Sequence, residues 1–369
     1  MLILNAGACV RSLTVESSCN NCETICPTQA IVVEQNPLPA INHALCVSCG
    51  ACDAVCPSEA LSLDEFKPSE FFFDFLEDKE NLISCKKNVP CIAALNVEHL
   101  ISMAVLKKEI VFDMGHCDIC VLAYKCRPQI ESIYEEASYL LEAMQNSASI
   151  TLKNVGYEAE IKDDSKQTSR RDFLSSLDVN SVAKAKHTFE KEIQSATDEL
   201  IEHTLEKTDI ALLRRKTIPE KRKLFYTAIK RVEKPSTYHV VDASEVSFTS
   251  SKLLDEDLCT ACQMCYRICP TGALTSDVKN SKIDFDPFIC IKCHSCHDVC
   301  ESDALIVSPS YNLKEFFEPS VLNLIEFEVK RCNECNVIYS TNDATSVLCY
   351  RCQAEDDEAR ELHGIIEKY

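Results

Sequence analysis

Hydrophobic and polar positions fall into three regimes along the chain. Between residues 82 and 154, short apolar runs alternate with stretches of helical period: LISC, VEHLISMAVLKK, EIVFDM, IESIYEEASYLLEAM and SITLK. This predicts strand, helix, strand, helix and strand, the pattern of βαβ units around a small parallel sheet. Residues 160–235 read as a charged, mostly helical linker, with HTFEKEIQSATDELIEHTLEK its clearest amphipathic segment. On either side, short apolar pairs sit inside cysteine-rich segments. Cys26 leads PTQAIVVE, Cys56 leads PSEALSLD, Cys269 leads PTGALTSD and Cys300 leads ESDALIVS. Each has alanine and then isoleucine or leucine at the same offset, where a short strand is predicted to begin. From Cys26 to Cys46 is 20 residues and from Cys269 to Cys290 is 21. One supersecondary unit is therefore used four times, as two pairs.

Composition narrows the classes. The 369 residues include 58 acidic and 38 basic ones, a net charge of −20, and 46% are apolar. That is too hydrophobic for a disordered acidic tail. No run reaches the roughly 18 uninterrupted apolar residues of a membrane-spanning helix, so no membrane insertion is expected. The start, MLILNAGACV, has no lysine or arginine ahead of its apolar residues and makes a poor signal peptide. The length predicts two or three modules. The acidity disfavours nucleic acid and anionic lipid and favours a partner with a basic docking patch. Cysteine is the informative residue, with 25 copies. Disulfide-rich domains are usually short and secreted, and an odd number of cysteines in tight CxxC groups without an export signal points to metal ligation in a reducing cytoplasm.

The strongest motif is C-x2-C-x2-C-x3-C-P, complete at Cys46–Pro57 and at Cys259–Pro270. A cubane iron–sulfur cluster needs four converging thiolates, and a short loop supplies three while its fourth cysteine goes to the neighbouring cube. The proline turns the chain away from the cluster. These residues resemble the bacterial two-cluster ferredoxin family, over residues 9–63 and 255–307. The resemblance implies that Cys259, Cys262, Cys265 and Cys300 hold one 4Fe–4S cluster, and Cys269, Cys290, Cys293 and Cys296 a second. Glu301 stands where proline is usual. In the amino-terminal pair it implies Cys26, Cys46, Cys49 and Cys52 for one cluster. The other has Cys19, Cys22 and Cys56 in the usual places, with Glu16 at the position of the first cysteine. Either Cys9 reaches in from upstream, or the site is a three-cysteine cluster that is labile or completed by Glu16.

Two further groups stand apart. Cys332-x2-Cys335-x13-Cys349-x2-Cys352 is the pattern of a tetrahedral zinc ribbon, and rubredoxin-like sites that bind one iron share it. The surrounding FEVKRCNECNVIY is too small to fold without its metal. In the α/β module, Cys85 follows the first strand and Cys117 and Cys120 follow the second, at the carboxyl edge where open α/β folds place ligands. Cys91 and Cys126 lie in adjoining loops, with His116 within reach. This stretch is similar to the small delta-type subunit of methanogen hydrogenases, a 2Fe–2S carrier, which implies a metal role for Cys85, Cys117 and Cys120, with Cys126 beside them. A further 2Fe–2S cluster, a structural zinc and packed thiols are the readings open here.

Other features take plainer readings. SRRDFL at 169–174 is internal and reads as a helix start. His294 and His297 read as spacers within a cluster loop, and Phe71–Phe75 and Phe316–Phe317 as core. Residues 211–234 carry nine basic groups against Glu220 and Glu233, a net of +7, which reads as a solvated helix face or as a docking stripe for an acidic partner.

The predicted fold class is α+β. A dicluster ferredoxin-like domain at 1–65 precedes an α/β cysteine module at 66–158 and a helical linker at 159–240. A second dicluster domain comes next at 241–310, then a zinc-ribbon-like region at 311–369. The expected cofactors are four 4Fe–4S clusters, one zinc or iron in the ribbon, and a 2Fe–2S cluster or zinc in the module. No GxGxxG, P-loop or nucleophile-elbow sequence occurs. The expected function is therefore an electron carrier without a substrate site, relaying single electrons between redox proteins. Two other roles fit: an obligate electron-transfer subunit of an oxidoreductase, such as a molybdenum-dependent formate dehydrogenase or a hydrogenase, and an iron–sulfur scaffold or maturation factor.

Overall fold

The computed structural model describes residues 1–33, 38–155 and 216–363. The SRRDFL segment, the amphipathic stretch of the linker, and Arg214 and Arg215 lie outside them. The described residues fall into two compact units, one of 1–9, 20–33, 38–155 and 219–239, the other of 10–19, 216–218 and 240–363.

The first unit begins with β1 (Leu2–Leu4), α1 (Asn21–Ile25), β2 (Ile31–Val32), β3 (Ala40–Ile41), α2 (Ala51–Ala54) and β4 (Leu61–Leu63). β1 pairs antiparallel with β4, Leu2 opposite Leu63, and β2 pairs antiparallel with β3. Leu2, Ile31, Leu61 and Leu63 pack together with Cys26 and Cys52 into one small core. Next comes α3 (Pro68–Glu77), opened by a proline whose missing N–H is no loss in a first turn, and its Phe71, Phe72 and Phe75 are buried.

The alternating segment forms β5 (Leu82–Ile83), α4 (Val97–Lys107), β6 (Glu109–Asp113), α5 (Ala123–Ala143) and β7 (Ser149–Lys153). The three strands make a parallel sheet in the order β5-β6-β7. Asn96 caps α4, its side-chain oxygen accepting the His99 N–H at 3.0 Å. The helix α5 starts at Ala123, ahead of the Ile130 predicted from periodicity, and so takes in Cys126 and Pro128. Pro128 sits in the second turn, where it lacks the N–H that would bond the Tyr124 carbonyl.

The helix Glu220–Ile229 packs against α4. Part of the basic stretch is thus neither a solvated face nor a docking stripe. Lys221 and Arg222 are buried, with Lys221 Nζ donating to the Cys56 carbonyl at 2.5 Å and the Arg222 guanidinium paired with Glu98, both partners of that pair being 1% exposed.

The second unit repeats the first arrangement and adds to it. After β8 (Val240–Asp242) come β9 (Lys252–Leu254), a short helix Met264–Ile268, β10 (Leu274–Thr275), β11 (Lys282–Phe285), a helical turn Ser295–Asp298 and β12 (Leu305–Val307). β9 pairs with β12, Lys252 opposite Val307, in the register of Leu2 with Leu63. The chain then runs through β13 (Ser310–Asn312), which pairs with β8, and β14 (Leu322–Glu326), a third strand beside β11. A hairpin of β15 (Glu328–Arg331) and β16 (Ile338–Thr341) leads to the helix Tyr350–Leu362. Among the described residues no helix is long and apolar enough to cross a membrane.

Removing one partner of a buried ion pair strands the other charge, at a cost of about 3–5 kcal/mol. Arg222→Met should therefore destabilise the first unit by that order in anaerobic urea unfolding, and adding Glu98→Leu should recover most of the loss. Equal unfolding of the single and double variants would contradict the pairing.

Candidate metal centres

Three of the four quartets from the ferredoxin resemblance each line a cavity of their own. Cys26, Cys46, Cys49 and Cys52 surround one. Cys269, Cys290, Cys293 and Cys296 surround a second, and Cys259, Cys262, Cys265 and Cys300 a third. In each, three cysteines come from one loop and the fourth from the other.

The backbone that delivers these thiols is the same each time. A strand ends, an Asn or Asp follows, a turn of three residues intervenes, and a cysteine comes next: Asn42 to Cys46, Asp255 to Cys259 and Asp286 to Cys290. The Asn or Asp N–H donates to the alanine carbonyl four residues past the last cysteine of the partner loop: Asn42 to Ala30, Asp255 to Ala304 and Asp286 to Ala273, each at 2.8 Å. The carboxylates of Asp255 and Asp286 and the side-chain oxygen of Asn42 accept N–H groups of the turn, which holds it closed. The fourth example is Asn5 to Cys9, with the Asn5 N–H on the Ala60 carbonyl at 2.7 Å. Cys9 therefore stands where Cys259 stands in the other pair, seven residues after Leu2 as Cys259 is after Lys252. It is buried against Cys56 and Ala60, whereas Glu16 is exposed. Nine residues, 10–18, separate Cys9 from Cys19, where two separate Cys259 from Cys262. Cys19 falls among the residues grouped with the second unit; Cys9, Cys22 and Cys56 fall in the first.

A second recurrence concerns the sulfurs. Thr28, Ser58, Thr271 and Ser302 each follow the loop's last cysteine by two residues, and their hydroxyls lie 3.8, 3.9, 3.8 and 4.0 Å from the sulfurs of Cys26, Cys56, Cys269 and Cys300. The N–H groups of Ala30 and Ala60 donate to Cys26 and Cys56 Sγ at 3.2 Å. Hydrogen bonds of this kind set how readily a ligated sulfur carries negative charge. The hydroxyl residue stands in all four segments of the sequence, midway between the cysteine and the shared alanine.

The loops close by left-handed residues on both sides of a middle cysteine: Ser48 and Gly50, Ala261 and Gln263, Lys292 and His294, with φ between 48° and 80°. Gly50 also meets the module, since a Cβ there would lie 2.6 Å from the Ala94 Cβ.

The thiols are chemically mismatched to a metal-free state. Burial and then the neighbouring cysteines Cys262 and Cys259 push Cys265 up to about 12, and burial followed by Cys269 pushes Cys293 up to about 12. Four thiolates in one apolar cavity repel one another, so a cationic core is what lets them ionise together. Soft sulfur donors suit iron–sulfur clusters, and the quartets fit them.

Two family models, each described as a 4Fe-4S dicluster domain, match the chain at residues 17–61 and 251–301. The chain contains two 4Fe-4S dicluster domains. No curated protein matches the chain. The amino-terminal match begins after both Cys9 and Glu16.

Outside the dicluster domains, Cys85 follows β5 and Cys117 and Cys120 follow β6, at the carboxyl edge of the parallel sheet as predicted. Cys117 is raised to about 11 by burial and then by the charges of Cys91, Cys85 and Cys120, which places Cys91 in this group. Cys126, which the sequence put beside Cys85, Cys117 and Cys120, is buried on α5 with its thiol in hydrogen-bond contact with Cys49 and Cys91. The contact with Cys126 is the main cause holding Cys49 down at about 6. In this first unit, a dicluster loop and the module's cysteines are thus joined through one thiol.

At the carboxyl end, the sulfurs of Cys332, Cys335, Cys349 and Cys352 all lie within 4.8 Å of one another. Cys332 and Cys335 sit in the turn between β15 and β16. The second pair opens a helix: Cys349 is the N-cap residue of the helix Tyr350–Leu362 and Cys352 lies in its first turn. Burial opposes ionisation of Cys332, but N–H groups of Cys335, Cys349 and Glu334 outweigh it and bring its thiol down to about 6. Cys335 and Cys349 sulfurs are 3.7 Å apart, close to the edge of about 3.8 Å in a tetrahedron with metal–sulfur bonds of about 2.3 Å.

Gly50 and Gly272 both have φ of +80°, but a Cβ on Gly272 meets only the flexible side chain of Lys216, at 3.3 Å. Alanine at either position incurs left-handed strain of about 1 kcal/mol. Gly50→Ala must also force the loop away from Ala94, so its melting temperature should fall further than that of Gly272→Ala. Equal losses would contradict the close approach.

Proposed function

We propose that this protein is a multi-cluster electron carrier that relays single electrons between redox proteins and has no substrate chemistry of its own. The observation that carries the reading is the delivery of three cysteine quartets, each lining its own cavity, by the same strand–turn–cysteine frame within two dicluster domains. The residues that would hold 4Fe–4S clusters are Cys26, Cys46, Cys49 and Cys52; Cys259, Cys262, Cys265 and Cys300; and Cys269, Cys290, Cys293 and Cys296. By the ferredoxin resemblance Cys9, Cys19, Cys22 and Cys56 would be the fourth set, with Cys9 in place of Glu16. A bound 4Fe–4S cluster accepts and releases one electron with little rearrangement. The chain's own part is to bury the site, aim hydroxyl and N–H groups at the sulfurs, and hold the thiolates in place.

The carboxy-terminal quartet takes a structural zinc that ties the β15–β16 turn to the helix Tyr350–Leu362. Cys85, Cys91, Cys117 and Cys120 take a further cluster of the 2Fe–2S kind, with Cys126 linking it to Cys49. A fourth thiol from Cys9 leaves less room for the labile site on which a cluster-donating scaffold depends.

The role of an obligate subunit is favoured by one surface. Beside Cys117 and Cys120, Ile119, Val121 and Tyr124 are 80%, 86% and 62% exposed. Apolar side chains presented next to a redox centre suit a docked partner, such as the catalytic subunit of a formate dehydrogenase or hydrogenase.

Anaerobically purified full-length protein should be brown and hold about sixteen irons with matching acid-labile sulfide and one zinc per chain, and about two irons more with the module loaded. Cys9→Ser should lose about four irons and Glu16→Gln none. A folded, colourless protein without sulfide would overturn the reading; the opposite behaviour of the two variants would return the fourth ligand to Glu16.

A further inference from the structure

The two dicluster domains offer an internal comparison. Leu2 and Lys252 occupy the same register, opposite Leu63 and Val307, and each lines the cavity of the corresponding quartet. Both are buried, at 2% and 3% exposure. One cavity wall is therefore a hydrocarbon and its counterpart an ammonium.

The environment of Lys252 is built to keep that charge in place. Its Nζ donates to Ser250 Oγ at 3.4 Å and to His297 Nε2 at 2.8 Å, and lies 5.9 Å from the centre of the Phe285 ring. His297 Nδ1 donates to the Leu305 carbonyl at 2.9 Å, which leaves Nε2 as an acceptor. His294 lines this cavity where Gly50 lines the other. His297 thus supports the lysine through its ring nitrogen and is not a spacer. No carboxylate forms an ion pair with Lys252 among the described residues. Ser250 completes the arrangement: its oxygen accepts from Lys252 and lies 3.5 Å from Cys290 Sγ, where its hydrogen can point.

We infer that Lys252 raises the reduction potential of the centre held by Cys269, Cys290, Cys293 and Cys296 above that of its counterpart at Cys26, Cys46, Cys49 and Cys52. The inference rests on the cubane reading of both quartets. Reduction adds one negative charge to an already anionic centre. A buried, unneutralised cation favours that form through a medium of low polarity, and a leucine does not. Electrons that reach both centres therefore reside first on the one beside Lys252, and the chain has a preferred resting place for charge written into one strand position.

The test is an anaerobic redox titration of full-length protein followed by EPR. The signal altered by Cys293→Ser should appear at higher potential than the signal altered by Cys49→Ser. Lys252→Met should lower the first midpoint so that its reduction equilibrium falls about tenfold or more, about 59 mV per decade for one electron, and leave the second unmoved. Lys252→Arg should stay near the wild type. An unmoved midpoint in a Lys252→Met protein with full iron and sulfide would overturn the inference while leaving the clusters standing. Should that variant fail to fold, a reversed order of the two signals in otherwise wild-type protein overturns it equally. Wild-type protein without iron and sulfide would remove the cubane reading and this inference together.

Discussion

Four sulfurs that ionise side by side in a buried pocket need a positive core between them. Every other feature of the two dicluster domains stems from that constraint. Burial alone opposes ionisation, as the elevated Cys265 and Cys293 show. Neighbouring sulfurs add to the opposition, so the apo arrangement is under electrostatic tension that iron and sulfide relieve. Hydroxyls and N–H groups that touch the sulfurs take up part of the remaining negative charge. The small apolar cores around Leu2, Ile31, Leu61 and Leu63 hold these donors at a fixed distance and keep water away.

The same frame is built four times, and its variations are where the four copies acquire different properties. In one copy the first cysteine is displaced in sequence by an insertion yet stays in place in the fold, because Asn5 and Ala60 make the same backbone bond as Asp255 and Ala304. In another, a lysine replaces a leucine on the cavity wall. In the first unit, Gly50 allows the loop around Cys49 to approach Ala94, and Cys126 fills the space between that loop and Cys91. Glu98 takes Arg222 into the core of the same unit and so converts part of a basic segment into structural material.

Much of this was legible from spacing. The CxxC intervals marked the cysteine loops, the ferredoxin resemblance implied how the loops combine into quartets, and the alternation of apolar runs named the strands and helices of the module. The hidden part depends on pairing between distant segments. Asn or Asp four residues ahead of each first cysteine is visible in the sequence, but its meaning appears only when its N–H is seen on an alanine of the partner loop. Lys252 and Leu2 lie 17 and 24 residues ahead of Cys269 and Cys26, an offset produced by the insertion, so aligning on the cysteines conceals their equivalence. The zinc-ribbon pattern fixes the two CxxC pairs but not the backbone that carries the second, which opens a helix. Lys221 and Arg222 read as solvent-facing because nothing local announces that Glu98 and the Cys56 carbonyl await them.

The sulfurs of the dicluster domains are proposed to hold one-electron centres. Coulometric titration of the anaerobic, full-length protein counts them directly, as electrons taken up per chain. Four from the dicluster domains, with one more when the module is loaded, is the predicted uptake at about one electron per cluster. Uptake of no electrons by folded, metal-replete protein would contradict the account.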